Sequence, residues 1–209
     1  MKLDRQQWQM IVALLLVAVV CTLLLSMTNI FTRTAIVQAE RQALMTALMQ
    51  VLPEHQNDPL SDIRDITLSN QKQVTRFYFS RNQKKDITAV AWQITAPDGY
   101  NGSIHILMAV RPDGKVHAIR ITGHKETPGL GDGITKNKVW LDSFGDHSLA
   151  NQHWGVKKDG GDFDQFTGAT ITPRAVVKAV RMGLEMFEEL KNKLLKDDKE
   201  HPVELKHAE

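Results

Sequence analysis

Between Arg5 and Arg33 the chain carries no charged residue for 27 positions, and this stretch restricts the fold more than any other. Met10 to Leu25 reads MIVALLLVAVVCTLLL, with Thr22 its only hydroxyl. A helix rising about 1.5 Å per residue needs about 20 residues to cross the hydrocarbon core of a bilayer, and Trp8 to Met27 supplies that length. Trp8 falls at one interface, where indole rings prefer to sit. Lys2 and Arg5 also resemble the charged head of a signal peptide. The apolar run is long for a signal, however, and Ser26-Met27-Thr28 is a poor substitute for the Ala-x-Ala site that should follow. An uncleaved anchor in membrane lipid is expected, with Met1 retained. Lys2 and Arg5 on one side are matched by Arg33 and Arg41 on the other, so charge alone leaves the orientation open.

The rest of the composition narrows the chemistry. Twenty-six basic residues against 24 acidic ones leave a formal charge of only +2, too weak a field to expect a nucleic-acid partner. The single cysteine, Cys21, lies inside the apolar span. It excludes an intrachain disulfide, a four-cysteine iron–sulfur cluster, a thiolate-rich zinc site and the paired cysteines of a c-type haem. An electron carrier built on this chain needs an organic cofactor.

Four regions are expected: a head and membrane helix over 1–33, a connecting helix and loop over 34–65, one domain over 66–190 and a charged tail over 191–209. Val37, Leu44, Leu48 and Leu52 recur near helical spacing until Pro53 stops the run. Glu54 to Asp65 is polar and reads as a loop. Four strand-like runs follow, Val74–Phe79, Ile87–Thr95, Ile104–Val110 and Val116–Thr122. Arg111-Pro112-Asp113-Gly114 is turn chemistry between the last two. Short links between consecutive strands predict an antiparallel sheet with flanking helices, an α+β fold. Lys136 to Phe144 reads as a short helix carrying Val139, Trp140 and Phe144. The last helix is expected to start with Thr172 as N-cap and Pro173 as first helical residue, with Val176, Val177, Val180, Leu184 and Phe187 along one face. The tail reads as frayed helix and then disorder.

Two segments draw attention as sites. His124-Lys125-Glu126-Thr127-Pro128-Gly129-Leu130-Gly131-Asp132-Gly133 follows the fourth strand, and its glycines let backbone N–H groups approach a ligand. Leu130 between two glycines offers a packing surface to a planar ligand. The segment fits a ligand loop or a plain strand-to-helix connection. His124 and Glu126 have no third partner that would make a metal site, and no Ser or Cys nucleophile motif supports a hydrolase. The second segment, Asp164-Gln165-Phe166-Thr167-Gly168-Ala169-Thr170-Ile171-Thr172-Pro173, places Thr170 beside a helix N-terminus, a natural place for a phosphate, with Lys157 and Lys158 shortly before it. A capped helix with a hydroxyl-rich lead-in accounts for the threonines but leaves Asp164, Gly168 and Ala169 unexplained.

Together these residues resemble a known family. Asp-x-x-Ser/Thr-Gly-Ala-Ser/Thr-x-Thr, here Asp164 to Thr172, resembles the flavinylation motif of the FMN-binding domain family, with Thr167 where the family often has Ser. Glu126-Thr127-Pro128-Gly129-Leu130-Gly131 resembles that family's second signature. Its members include the G subunit of the Rnf/Rsx ion-translocating electron-transport complex and the C subunit of the sodium-translocating NADH:quinone oxidoreductase. Thr95 to Tyr100 and Trp154 to Pro173 look most like the former.

The resemblance implies FMN attached as a phosphoester to Thr170 by a separate flavin transferase that draws it from FAD with Mg²⁺. It also implies a single-pass anchor in the bacterial inner membrane, a cytoplasmic N-terminus and a periplasmic domain. Position favours Thr170 as well, since Thr172 is expected to be occupied as N-cap and Thr167 lies farther from the helix. Thr127 and Leu130 are the expected ring contacts. Glu126, Gly129, Gly131, Asp164, Thr167, Gly168 and Ala169 complete the expected cofactor-binding set, and Tyr100 and Trp154 are secondary candidates. The implied function is a redox-carrier subunit, not a catalyst alone, that couples electron transfer to ion translocation beside other membrane and redox subunits of an Rnf-type complex. A non-redox anchored assembly or adaptor subunit is the alternative.

Overall fold

A computed structural model describes residues 4–67 and 74–196. Met1, Lys2 and the charged tail beyond Lys196 lie outside the described residues. The chain divides into two compact units, Met1–Leu44 and Met45–Glu209.

The described part of the first unit is helical, the greater part of helix α1 (Arg5–Val51). This helix is long and apolar enough to cross a membrane. Three hydroxyls within it are satisfied by their own helix: Thr22, Thr28 and Thr32 each donate to the carbonyl four residues back, at 2.8 Å. That pairing is what a low-dielectric surround requires of a polar group.

The second unit is built on a five-stranded antiparallel meander in the order β1-β2-β3-β4-β5. Its strands are β1 (Ile63–Thr67), β2 (Val74–Arg81), β3 (Ile87–Ala96), β4 (Ile104–Val110) and β5 (Val116–Gly123). Phe77, Trp92, Met108 and Ile119 are cross-strand neighbours in one row. All four are fully buried, so the row forms the floor of the core. Ala89, Ala91 and Ala109, which alternate with these positions, are buried as well. β3 and β4 therefore read as nearly continuous apolar runs.

Helix α4 (Ile171–Leu195) covers β3 and β4. Val176, Val180, Leu184 and Phe187 recur at helical spacing and are fully buried. Phe187 stacks on Trp92 at 6.0 Å. At Gly183 the helix comes so near the sheet that an added Cβ would lie 2.4 Å from Met108 Sδ.

Three expectations are corrected. β1 occupies the end of the stretch read as a polar loop. Asp65 of β1 lies opposite Arg76 of β2 and takes two hydrogen bonds from it, both at 2.8 Å. Arg64 donates to the carbonyls of Lys193, Leu194 and Lys196 and so closes the end of α4. The single helix expected over Lys136–Phe144 is instead two short ones, α2 (Gly133–Lys136) and α3 (Lys138–Asp142). Asn137 divides them, its side chain accepting the Trp140 N–H at 3.0 Å. Val139 is 82% exposed, while Trp140 and Phe144 are buried. Finally, α4 begins at Ile171 rather than Pro173, for a reason found at the site below.

Candidate functional site

Two loops and the first turn of α4 meet at the carboxylate of Glu126, which is 5% exposed. Its Oε1 accepts the Asn101 backbone N–H at 3.0 Å, and its Oε2 accepts the Thr172 hydroxyl. Asn101 Nδ2 donates to Thr127 Oγ1 at 2.9 Å, tying the β3–β4 loop to the glycine loop a second time. Glycine makes the room. A Cβ on Gly131 would lie 2.7 Å from Glu126 Oε2, and one on Gly99 would lie 2.2 Å from the Gly102 carbonyl oxygen. Backbone N–H groups and hydroxyls satisfy a buried carboxylate that would otherwise be costly.

The glycine loop is wound on itself. The Thr127 carbonyl accepts N–H groups from Leu130, Gly131 and Asp132 at 3.2, 3.1 and 3.4 Å. Asp132 Oδ1 accepts the Gly129 N–H at 2.8 Å, where Gly129 holds φ +80. The Lys136 ammonium beside Asp132, helped by that N–H, keeps the Asp132 carboxyl below its ordinary range. So pinned, the loop leaves Leu130 50% exposed.

The threonine segment lies against this loop. Gly168, at φ +78, turns the chain so that the Ala169 N–H reaches the Phe166 carbonyl at 3.1 Å. A Cβ on Gly168 would stand 3.7 Å from Leu130 Cδ2, so the two segments are neighbours. Phe166 packs on Gly133 and against Trp140, whose indole N–H is held by the Asp164 carbonyl at 2.8 Å. The Asp164 carboxylate is exposed and pairs with Lys157 at 2.6 Å.

Thr172 is not the N-cap. Thr170 occupies that position, with helical φ −67 and ψ −30, and its carbonyl accepts the Arg174 N–H at 3.2 Å. Thr172 lies inside the first turn, 1% exposed, because its hydroxyl is drawn to Glu126. Pro173 then falls at the third helical position, where its missing N–H costs nothing. The hydroxyls of Thr167 and Thr170 have no hydrogen-bond partner among the described residues. Thr167 is exposed and Thr170 half-buried. The N–H groups of Ile171 and Thr172 have no helical acceptor at this end.

Glu126, Thr127, Leu130, Gly131, Gly168 and Thr172 are thus brought together, with Ala169 and Thr170 on the adjoining turn. Asp164 and Gly129 serve the shape of their own loops. Tyr100 is 66% exposed beside Asn101. Trp154 is packed instead with Phe144 and Phe163, and its indole N–H is taken by the Ser148 carbonyl at 3.0 Å. His124 Nδ1 accepts the Glu126 N–H at 3.1 Å. Asn101 and Asp132 were missed as site residues. The spacing of Asp132 to Lys136 was the signal for one, and the position of Asn101 just before Gly102 was the signal for the other.

Comparison with known proteins bears on this arrangement. Residues 99–185 match the family model of the FMN-binding domain, and residues 12–51 match that of the RnfG N-terminal region. The G subunit of the ion-translocating oxidoreductase complex of Cereibacter sphaeroides is 41% identical over 86% of this chain and 84% of its own. The protein of the same name from Vibrio vulnificus is 41% identical over 82% and 85%, respectively. The crystal structure of Shewanella oneidensis NqrC superposes with a TM-score of 0.57 at 17% identity, covering 75% of this chain and 98% of that one. That likeness supports the fold of an apolar helix, an antiparallel sheet and flanking helices. With two relatives above 40% identity over most of their length, the chain belongs to the family of G subunits of ion-translocating oxidoreductase complexes.

Proposed function

We propose that the chain is a flavin-carrying electron-transport subunit of an ion-translocating complex, with FMN joined through its phosphate to Thr170. The observation that carries this reading is the Thr170 hydroxyl. It has no partner among the described residues and stands at the head of α4, while the neighbouring Thr172 hydroxyl is buried against Glu126. The residues fit the group. The N–H groups of Ile171 and Thr172 suit a phosphate at a helix N-terminus, and half-exposed Leu130 suits the face of a flat ring. Bound FMN would supply the redox chemistry, accepting and releasing electrons.

A flavin transferase is the implied maturation partner. Thr170 Oγ1 would join the FMN phosphorus as the pyrophosphate bond of FAD breaks, and AMP would leave with the proton that the hydroxyl gives up. A covalent link keeps the site loaded without a binding equilibrium. Anchored by α1 in the inner membrane with its N-terminus in the cytoplasm, the second unit would lie in the periplasm beside the other redox subunits.

Intact-mass measurement on protein extracted from membranes, followed by peptide mass spectrometry, tests the assignment. One FMN adduct on the peptide containing Thr170 is expected, and Thr170→Ala should be folded, anchored and colourless. An adduct on Thr167 or Thr172 would overturn it.

A further inference from the structure

We propose that Glu126 and Thr172 form a positioning clasp that sets how Thr170 is presented for flavin attachment. The proposal rests on the reading of Thr170 as the flavin-bearing residue. In it the last threonine of the motif neither bears flavin nor caps the helix. It acts on Thr170 by fixing the first turn of α4 against the glycine loop.

Both partners are withdrawn from solvent, Thr172 at 1% and Glu126 at 5% exposure. Each therefore needs the other, because a buried carboxylate short of a donor is costly. The link spans 46 residues of sequence and ends two positions from Thr170. Glu126 also holds the Asn101 N–H at 3.0 Å, so one side chain joins three segments. Gly131 is moulded to the pair: an added Cβ would meet Glu126 Oε2 at 2.7 Å and Thr172 Oγ1 at 3.0 Å. The Thr170 side chain, which bonds to none of the described residues, takes its direction from a turn held in this way.

Thr172→Val and Thr172→Ser in the full-length chain separate the clasp from mere packing. Valine keeps the shape and loses the donor, whereas serine keeps the donor and loses a methyl. If Thr172 only fills space, valine is the milder change. If it acts through its hydroxyl, the order reverses.

Each variant would be incubated with purified flavin transferase, FAD and Mg²⁺, and the initial rate of FMN addition followed by mass. Amide exchange across Thr127–Asp132 would be measured before modification. Serine should stay near the wild-type rate and valine fall about tenfold or more, as loss of a hydrogen bond to a charged group implies. Exchange in the glycine loop should be faster in the valine variant than in the serine variant. Glu126→Met, which fills similar space without oxygens that can accept, should behave as valine does, and it decides the matter should Thr172→Val fail to fold.

Wild-type rate and exchange in Thr172→Val, or serine as slow as valine, would overturn the clasp. If wild-type protein takes its adduct elsewhere than on Thr170, the functional reading fails instead, and the exchange comparison still decides whether Glu126 and Thr172 hold the loop.

Discussion

Leu130 and Asp132 stand two positions apart and divide the work of the glycine loop, one exposed for contact and the other holding the shape. Replacing Leu130 with Asp removes little buried surface, so the thermal midpoint should move little. A charge would then face the ring, so the absorption spectrum and midpoint potential of the attached flavin should shift. An unchanged spectrum and potential would mean that the loop does not touch the flavin. Asp132 makes a prediction about pH. Its carboxyl is held below the ordinary 3.8 by Lys136 and by the Gly129 N–H. A group depressed on folding lends stability above its unfolded value and loses it as pH falls through the folded one. The Gly129 amide resonance should therefore hold constant through neutral and mildly acid pH and titrate only below 3.8. A midpoint at or above that value would show that the Asp132–Gly129 bond does not close the loop.

Among the elements, α4 carries the packing that holds the site in place. Phe187→Ala should cost about 3–5 kcal/mol, as truncation of a buried aromatic does. The denaturation midpoint should fall with the slope unchanged. A loss below about 1 kcal/mol would mean that the Trp92 stack contributes little. Much of this layer was legible beforehand. The four long strands follow from runs rich in Val, Ile, Thr and aromatic residues, and the buried face of α4 follows from helical spacing, both local signals. What escaped depends on distant partners. β1 reads IRDIT, three of its five residues polar, and becomes a strand because Arg76 and the end of α4 meet its charges. Pro173 resembles a first helical residue on local statistics, yet Glu126 draws Thr172 into the turn ahead of it. Asn137 breaks the short helix by capping the second of the two pieces. At the site, motif positions located the loops, but the direction of the Thr172 hydroxyl depends on a carboxylate that no local pattern could place.

At the scale of the whole molecule, the two units differ in what surrounds them. Leu14 and Leu25, at 75% and 72% exposure, belong to the first unit, whereas Leu48 and Val51 are fully buried and belong to the second. A chain beginning near Thr34 should therefore be soluble and retain its strands and α4, while the full chain should stay with membranes through a carbonate wash. Circular dichroism and size-exclusion chromatography check the first outcome, and aggregation of the shortened chain would contradict it.

The meander has a consequence for the order in which the protein matures. Every strand pairs with its neighbour in sequence, so the sheet can assemble through short closures. The bond from Thr172 to Glu126 closes a far longer loop and is rewarded only once the sheet and α4 have come together. If flavin is attached only to a Thr170 held in that way, attachment becomes a check on folding. Chains that stall with α4 undocked would stay unmodified, and the yellow fraction of a preparation would count the molecules that finished.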